Sequence, residues 1–421
     1  MNKNDRTKNN LSLRLFPALR TFAALLLAFI FILCQESSTA AVKDQHKVWV
    51  GTWGTAEQLV EPYNMPPQPG LSSNTLRQIV RVSIGSDSLR IRFSNEFSTS
   101  PVTMKSVHIA VSEGNGLINT AADKEILFDG KPDVTMAPGT AVTSDPLGFD
   151  LKPESDIAIT IYFGETSPDV TGHPGSRTTS YLLKGNEVSK ADFSDAVKTD
   201  HWYVIEGIDV LAPKSSAAVV ALGNSITDGR GSGTNKQDRW TDDLARRLQE
   251  NSDTKHVAVL NMGIGGNCVL RKCLGPSAVS RFDRDVLNQN GVRWLIILEG
   301  INDIGGSRPE DSAKVASDLI AAYKNMIDSA HAKGIRVYGA TMTPFGGSFY
   351  DKPGHEFAWK TVNDWIRNSG RFDAVIDFDA AMRDTKNPLH LSPGLDSGDH
   401  LHPNEKGYQV MANAIELNLF H

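Results

Sequence analysis

Two periodicities of apolar and polar side chains divide the chain. From Val48 to about Pro213 the chain reads as β-rich. Residues 76–84 and 88–93 alternate apolar and polar, the period of a strand with one wet face, and Gly85-Ser86-Asp87 between them reads as a hairpin turn. Shorter strands are predicted at 106–111, near 126–128 and at 155–163. Sheets with one solvated face pack as layers, so a β-sandwich or jelly-roll-like domain is expected. From Ala217 onward the pattern changes. Apolar runs at 217–222, at 259–262 with one polar residue, Asn261, and at 294–298 alternate with helical stretches. Trp240, Leu244 and Leu248 share one helix face, as do Val315, Leu319, Tyr323, Met326 and Ile327. Gly334 ends that second helix, 335–340 is the next strand, and Asn404 caps a last helix carrying Tyr408, Met411 and Ile415. This order predicts an α/β domain, a parallel sheet with helices on both faces. The Pro- and Ser-containing stretch 212–216 is the natural boundary. The expected parts are a β-rich region over 45–213 and an α/β domain over 214–421, each long enough for a core.

The ends of the buried strands carry the chemistry. Gly223-Asn224-Ser225-Ile226-Thr227-Asp228-Gly229 follows 217–222 without a break. A serine there stands at the carboxyl edge of a sheet beside the free N–H groups of a helix start, either as a cap or as a nucleophile. The second strand runs into Gly263-Ile264-Gly265-Gly266-Asn267, and the third into Gly300-Ile301-Asn302-Asp303. Asp399-His400-Leu401-His402-Pro403-Asn404 precedes the final helix.

In this order, the four segments resemble the four sequence blocks of the SGNH, or GDSL-type, serine hydrolase superfamily, over roughly 217–420. The resemblance implies a flavodoxin-like hydrolase domain with Ser225 as nucleophile, His402 as general base and Asp399 orienting it. It also implies an oxyanion hole formed by the N–H groups of Ser225 and Gly266 and the Asn302 amide. Acyl transfer needs that set: an activated hydroxyl, a base near neutral pH and donors aimed at the developing oxyanion. His400 is the rival base, but the family's aspartate–histidine spacing selects His402. The superfamily often has aspartate before the serine, where this chain has Asn224. Thr227 replaces the glycine of an α/β-hydrolase elbow, which favours the open flavodoxin-like sheet. Segments 76–97 and 172–181 further suggest an acetylxylan-esterase-like branch with a β-rich N-terminal region. The polar segment 172–181 is either a loop facing the active site or an exposed interstrand loop.

Other site chemistries fit less well. Asp396, Asp399, His400 and His402 form a crowded ligand set with no partner motif elsewhere, so no metal is expected. The third glycine of a dinucleotide fingerprint would fall on Cys268, and no phosphate-loop ending follows Gly229; no cofactor is expected.

Lys3, Arg6, Lys8, Arg14 and Arg20 precede an apolar run from Phe22 to Cys34, with small residues at 38–41: the layout of a cleaved secretory signal over about 1–40. The protein is therefore expected to be secreted or periplasmic, with membrane contact only during export. Losing 1–40 removes five basic and two acidic side chains, taking the net charge from −6 to −9. An acidic chain without a basic cluster argues against nucleic acid and points to neutral substrates. Cleavage leaves Cys268 and Cys273, an even pair expected to form a disulfide. The expected function is hydrolysis of short acyl esters, carbohydrate O-acetyl groups foremost, through an acyl-enzyme. A lipase or lysophospholipase specificity and a non-catalytic carbohydrate-binding role are the alternatives.

Overall fold

The computed structural model describes residues 47–421, so the targeting segment expected at 1–40 lies outside the described residues. The longer strands of the first half are β1 (Lys47–Gly54), β2 (Asn74–Arg81), β3 (Ser86–Ser94) and β4 (Val102–Gly114). They are followed by β5 (Leu147–Leu151), β6 (Asp156–Phe163), β7 (Thr171–His173), β8 (Ser180–Lys184) and β9 (Ile205–Pro213). One sheet has the order β1-β9-β3-β5, and a second runs from Val197–Thr199 through β8-β2-β6-β4 to Leu117–Ile118. A small third sheet places β7 between Gln58–Leu59 and Trp202–Tyr203. The pairings of β2, β3, β6 and β8 are antiparallel.

The expected alternation is present: Leu89, Ile91 and Phe93 of β3 are fully buried. The hairpin expected at 85–87 is absent, because β2 and β3 belong to different sheets. The connecting residues leave β2 for another strand. Ser83 N–H donates to Thr52 O and the Thr52 hydroxyl donates to Ile84 O, which carries the chain from one layer to the other. Two half-buried strands joined by a short polar turn can pair or can face each other across a core, and alternation alone does not choose.

The second half is built on β10 (Ala217–Gly223), β11 (Val257–Gly263), β12 (Val292–Leu298), β13 (Arg336–Ala340) and β14 (Ala374–Ile376). Their order is β11-β10-β12-β13-β14, all parallel, the 2-1-3-4-5 order of flavodoxin-like sheets. Successive residues of β10 face opposite sides. Val219 and Ala221 join a core with Trp240, Leu244 and Tyr408. Ala218, Val220 and Leu222 join Leu260 and Leu295 in a core that continues into Leu76, Val107 and Ile159 of the antiparallel sheets. The edge strand β11 is also covered from that side, since Val259 N–H donates to Ser83 Oγ at 3.1 Å. Residues Val48–His421 thus make one compact unit. No helix among the described residues is long and apolar enough to cross a membrane.

A core shared this way predicts one cooperative unfolding event. Leu260→Ala, at a fully buried position, is expected to cost about 2–5 kcal/mol. Calorimetry should show a single transition moving to lower temperature. Two transitions, only one of which shifts, would contradict the shared core.

Candidate active site

Strand β10 ends at Gly223, where a Cβ would collide with the Thr227 side chain, so the chain can turn sharply there. Asn224 caps the short helix α1 (Ser225–Asp228), accepting from Ile226 N–H at 3.1 Å. Its amide donates to Glu299 Oε2 at 3.3 Å. That partner accounts for asparagine in place of the aspartate frequent in the superfamily. Burial pushes the Glu299 carboxyl up to about 8, with Arg281 pulling it down, and a second carboxylate beside it would be repelled.

Ser225 Oγ lies 2.8 Å from His402 Nε2, and His402 Nδ1 lies 2.6 Å from Asp399 Oδ2. Asp399 Oδ1 accepts the backbone N–H groups of Leu401 and His402 at 3.1 and 2.9 Å. Burial raises the Asp399 carboxyl, but the hydrogen bonds from His402 and Leu401 outweigh it and hold it at about 2. It is therefore ionised and fixes the imidazole with Nδ1–H toward itself and Nε2 free to accept from the serine. Burial also lowers the His402 pKa below its ordinary 6.5, against the pull of Asp399; the Arg230 and Arg177 charges add to the lowering.

His400 stands apart. It has φ of +61°, its side chain is 54% exposed, and Nδ1 lies 2.7 Å from Asp396 Oδ2. The two histidines separate because the segment is a tight turn, and not by the alternation of an extended strand. The four residues weighed as a metal set thereby divide into two separate pairs, His402–Asp399 and His400–Asp396.

Across the serine, Gly266 has φ of +70°, a conformation that favours glycine, and a Cβ there would meet Leu274 at 2.8 Å. The Asn302 amide donates to Asn267 O at 2.6 Å and accepts from the Tyr350 hydroxyl at 2.9 Å. One of its two N–H bonds is thereby committed and the other remains for a ligand. Asp303 accepts from Val269 and Leu270 N–H, holding the loop closed by the Cys268–Cys273 disulfide, whose Cα atoms are 5.6 Å apart. The loop returns at Leu274, whose carbonyl accepts from Asn267 Nδ2.

Arg281 was not singled out from the sequence, yet it organises this region. Its buried guanidinium donates to Gly223 O, Met262 O and Asn267 Oδ1 at 3.0, 2.7 and 2.9 Å, and pairs with Asp285 at 2.8 Å. It ties the ends of β10 and β11 to the loop after Gly266. An arginine in an amphipathic helical stretch carries no signal of such use.

Ser225, Gly266, Asn302 and His402 line one cavity of about 400 Å3. The β-rich region supplies much of its wall, including Glu61, Tyr63, His173, Arg177 and His201. The polar loop at 172–181 therefore faces the serine. His173 Nε2 lies 2.8 Å from Asp228 Oδ1, and its Nδ1 lies 2.7 Å from Ala56 O. This pair anchors the loop to the helix that begins with Ser225.

Residues 221–410 match the GDSL-like Lipase/Acylhydrolase family. This match marks the C-terminal α/β half as a GDSL-like hydrolase domain, which supports carboxylic ester hydrolysis. Solved structures similar to it include a member of the lipolytic protein G-D-S-L family from Veillonella parvula DSM 2008. That structure is 22% identical, the match covers 47% of this chain and 96% of that one, and the TM-score is 0.36. An acetyl xylan esterase is 19% identical over 47% and 96% of the two chains, with a TM-score of 0.36. A carbohydrate acetylesterase from Sinorhizobium meliloti is 14% identical over 47% and 96%, with a TM-score of 0.35. A comparison with curated proteins gave no match.

Breaking a buried ion pair by removing one partner typically costs about 3–5 kcal/mol. Arg281→Met is expected to lose that much in denaturant unfolding. Arg281→Lys, which keeps the charge but not the fork, should lose less stability and still lower turnover at least tenfold. Wild-type turnover in the lysine variant would separate Arg281 from the site.

Proposed function

We propose that the chain is an exported serine esterase that removes short acyl groups, carbohydrate O-acetyl groups foremost. The reading rests on one observation: the line Ser225–His402–Asp399 stands in a cavity also lined by Gly266 and Asn302. Ser225 Oγ attacks the ester carbonyl carbon while its proton passes to His402 Nε2, and Asp399 stabilises the imidazolium. The carbonyl oxygen becomes an oxyanion, taken up by the N–H groups of Ser225 and Gly266 and the free N–H of Asn302. Collapse breaks the bond to the alcohol, which leaves with the proton from His402. Water then attacks the acyl-enzyme by the same route, giving the acid and free Ser225.

The walls support the substrate class. Leu274 lies against Gly266, and the Tyr350 hydroxyl is bonded to Asn302, which keeps the oxyanion side narrow and suits a short acyl group. The rest of the lining mixes apolar surface with polar side chains such as Gln58, Asn64 and His201, and Tyr63 and Phe349 stand 76% and 63% exposed among it. Flat aromatic faces beside polar groups suit a sugar ring. The basic and then apolar N-terminal segment supports export.

Ser225→Ala is expected to retain no more than a few per cent of wild-type turnover with nearly unchanged thermal unfolding. His402→Ala should lose about a thousandfold or more in kcat, and His400→Ala less than about tenfold. The reverse order for the histidines would reject the base assignment. On nitrophenyl esters, kcat/KM should fall at least tenfold from acetate to octanoate; a rise would favour a lipase.

The pH profile follows from His402. Its pKa lies below the ordinary value, so neutral imidazole, and with it kcat/KM, persists below pH 6.5 and is lost as pH falls through the lowered value. The acid limb is therefore expected at lower pH than the 6.5 of an unperturbed histidine. A limb above 6.5 would contradict the buried imidazole.

A further inference from the structure

The cavity around Ser225 holds two arginines with nothing to bind. Every other described arginine places its guanidinium on an acceptor or anion of the protein. Arg177 and Arg230 both line the cavity, and neither guanidinium makes a hydrogen bond or ion pair among the described residues. Arg177 Nε is buried without a partner, an arrangement that costs stability unless a ligand supplies the acceptor. Its backbone is held at φ of +51°, uncommon for a residue with a side chain. Asn235 clamps it there, donating its N–H to Arg177 O at 2.9 Å and accepting from Thr179 N–H at 2.7 Å. The protein's own anions do not answer these charges. Of the carboxylates lining the cavity, Glu61 accepts from Gln58 and Asn64, and Asp228 is bonded to His173.

The pair stands on the His402 side of the serine. Arg230 N–H donates to Ser225 O at 2.8 Å, and Arg230 O accepts from the Tyr408 hydroxyl at 2.6 Å. The next residue, Gly231, backs directly onto Pro403 O beside His402. Both guanidinium charges bear on the His402 imidazole. Gly266 and Asn302 lie across the serine. His402 protonates the departing alcohol, so the alcohol half of an ester occupies the arginine side.

We propose that this alcohol half carries a carboxylate bound by Arg177 and Arg230, so that the preferred substrates are O-acyl esters of acidic sugars. The proposal rests on the esterase reading of the same cavity. It departs from the expectation of neutral substrates, because two guanidinium groups without a partner in the protein line the site whatever the acidic average of the chain. Arginine suits the task because its planar fork matches a carboxylate and stays charged at any working pH.

The test compares an O-acetylated methyl galacturonoside as the free acid with its methyl ester, which keeps the acetyl group and removes the charge. The full chain is expected to favour the acid at least tenfold in kcat/KM, mostly through KM, with the preference shrinking as salt rises. In Arg177→Gln/Arg230→Gln the ratio should fall to within about threefold of one. A wild-type ratio near one, or a preference kept by the double variant, overturns the proposal, as does stronger turnover of an O-acetylated sugar phosphate. Nitrophenyl acetate reports on the esterase reading separately. Its hydrolysis with a ratio near one rejects the anion site alone, whereas full activity in Ser225→Ala rejects the site reading. A binding arm needs no turnover and no double variant: Ser225→Ala should bind galacturonate at least tenfold tighter than galactose by calorimetry. Adding Arg177→Gln alone should weaken the uronate severalfold; equal binding of acid and neutral sugar overturns the proposal.

Discussion

The geometry of the site depends on one buried guanidinium. Serine, glycine and asparagine come from the ends of three different strands, and nothing in a parallel sheet fixes how strand ends lie relative to the loops beyond them. Arg281 supplies that constraint by donating to the carbonyls that end β10 and β11 and to the side chain of Asn267. Asn267 passes it on, because its carbonyl orients Asn302 and its amide holds the disulfide loop. A charge in such a place is tolerated because Asp285 and the carbonyls replace its water, and its rigid fork sets directions that a flexible ammonium could not.

Much of this was legible from the sequence, and the reasons are physical. Strands β10 to β12 are buried on both faces over most of their length, so they read as largely apolar runs and the glycines at their ends are conspicuous. Asp399 and His402 are close in sequence because a single turn makes their contact, so spacing alone pairs them. Long-range partners left no such trace. The links of Arg281 to Gly223, of Asn224 to Glu299 and of Tyr350 to Asn302 join residues whose types fit many other uses. The missing hairpin between β2 and β3 has the same origin, since alternation states that a face is buried and not what buries it.

The β-rich region takes part in the site and does not merely precede it. Its loop at 172–181 delivers His173 to Asp228, three residues beyond Ser225, and puts Arg177 on the cavity wall. The wall at Gly266 and Asn302 is built from the hydrolase half, while much of the opposite wall is borrowed from the antiparallel sheets. Substitutions in residues remote from the family blocks can therefore reshape the cavity without touching Ser225, His402 or Asp399.

The Ser83 hydroxyl on Val259 N–H bears on how such a protein could be recombined. The parallel sheet ends at β11 with an edge that would otherwise offer unpaired N–H and C=O groups to any passing strand. Here that edge and the apolar face behind Leu260 are sealed by the N-terminal layers. A hydrolase half cut out at residues 212–216 would carry an open edge and an oily face, and would stick to copies of itself. The boundary that looks like a hinge in the sequence is a poor place for scissors, and the family domain here is not a portable module.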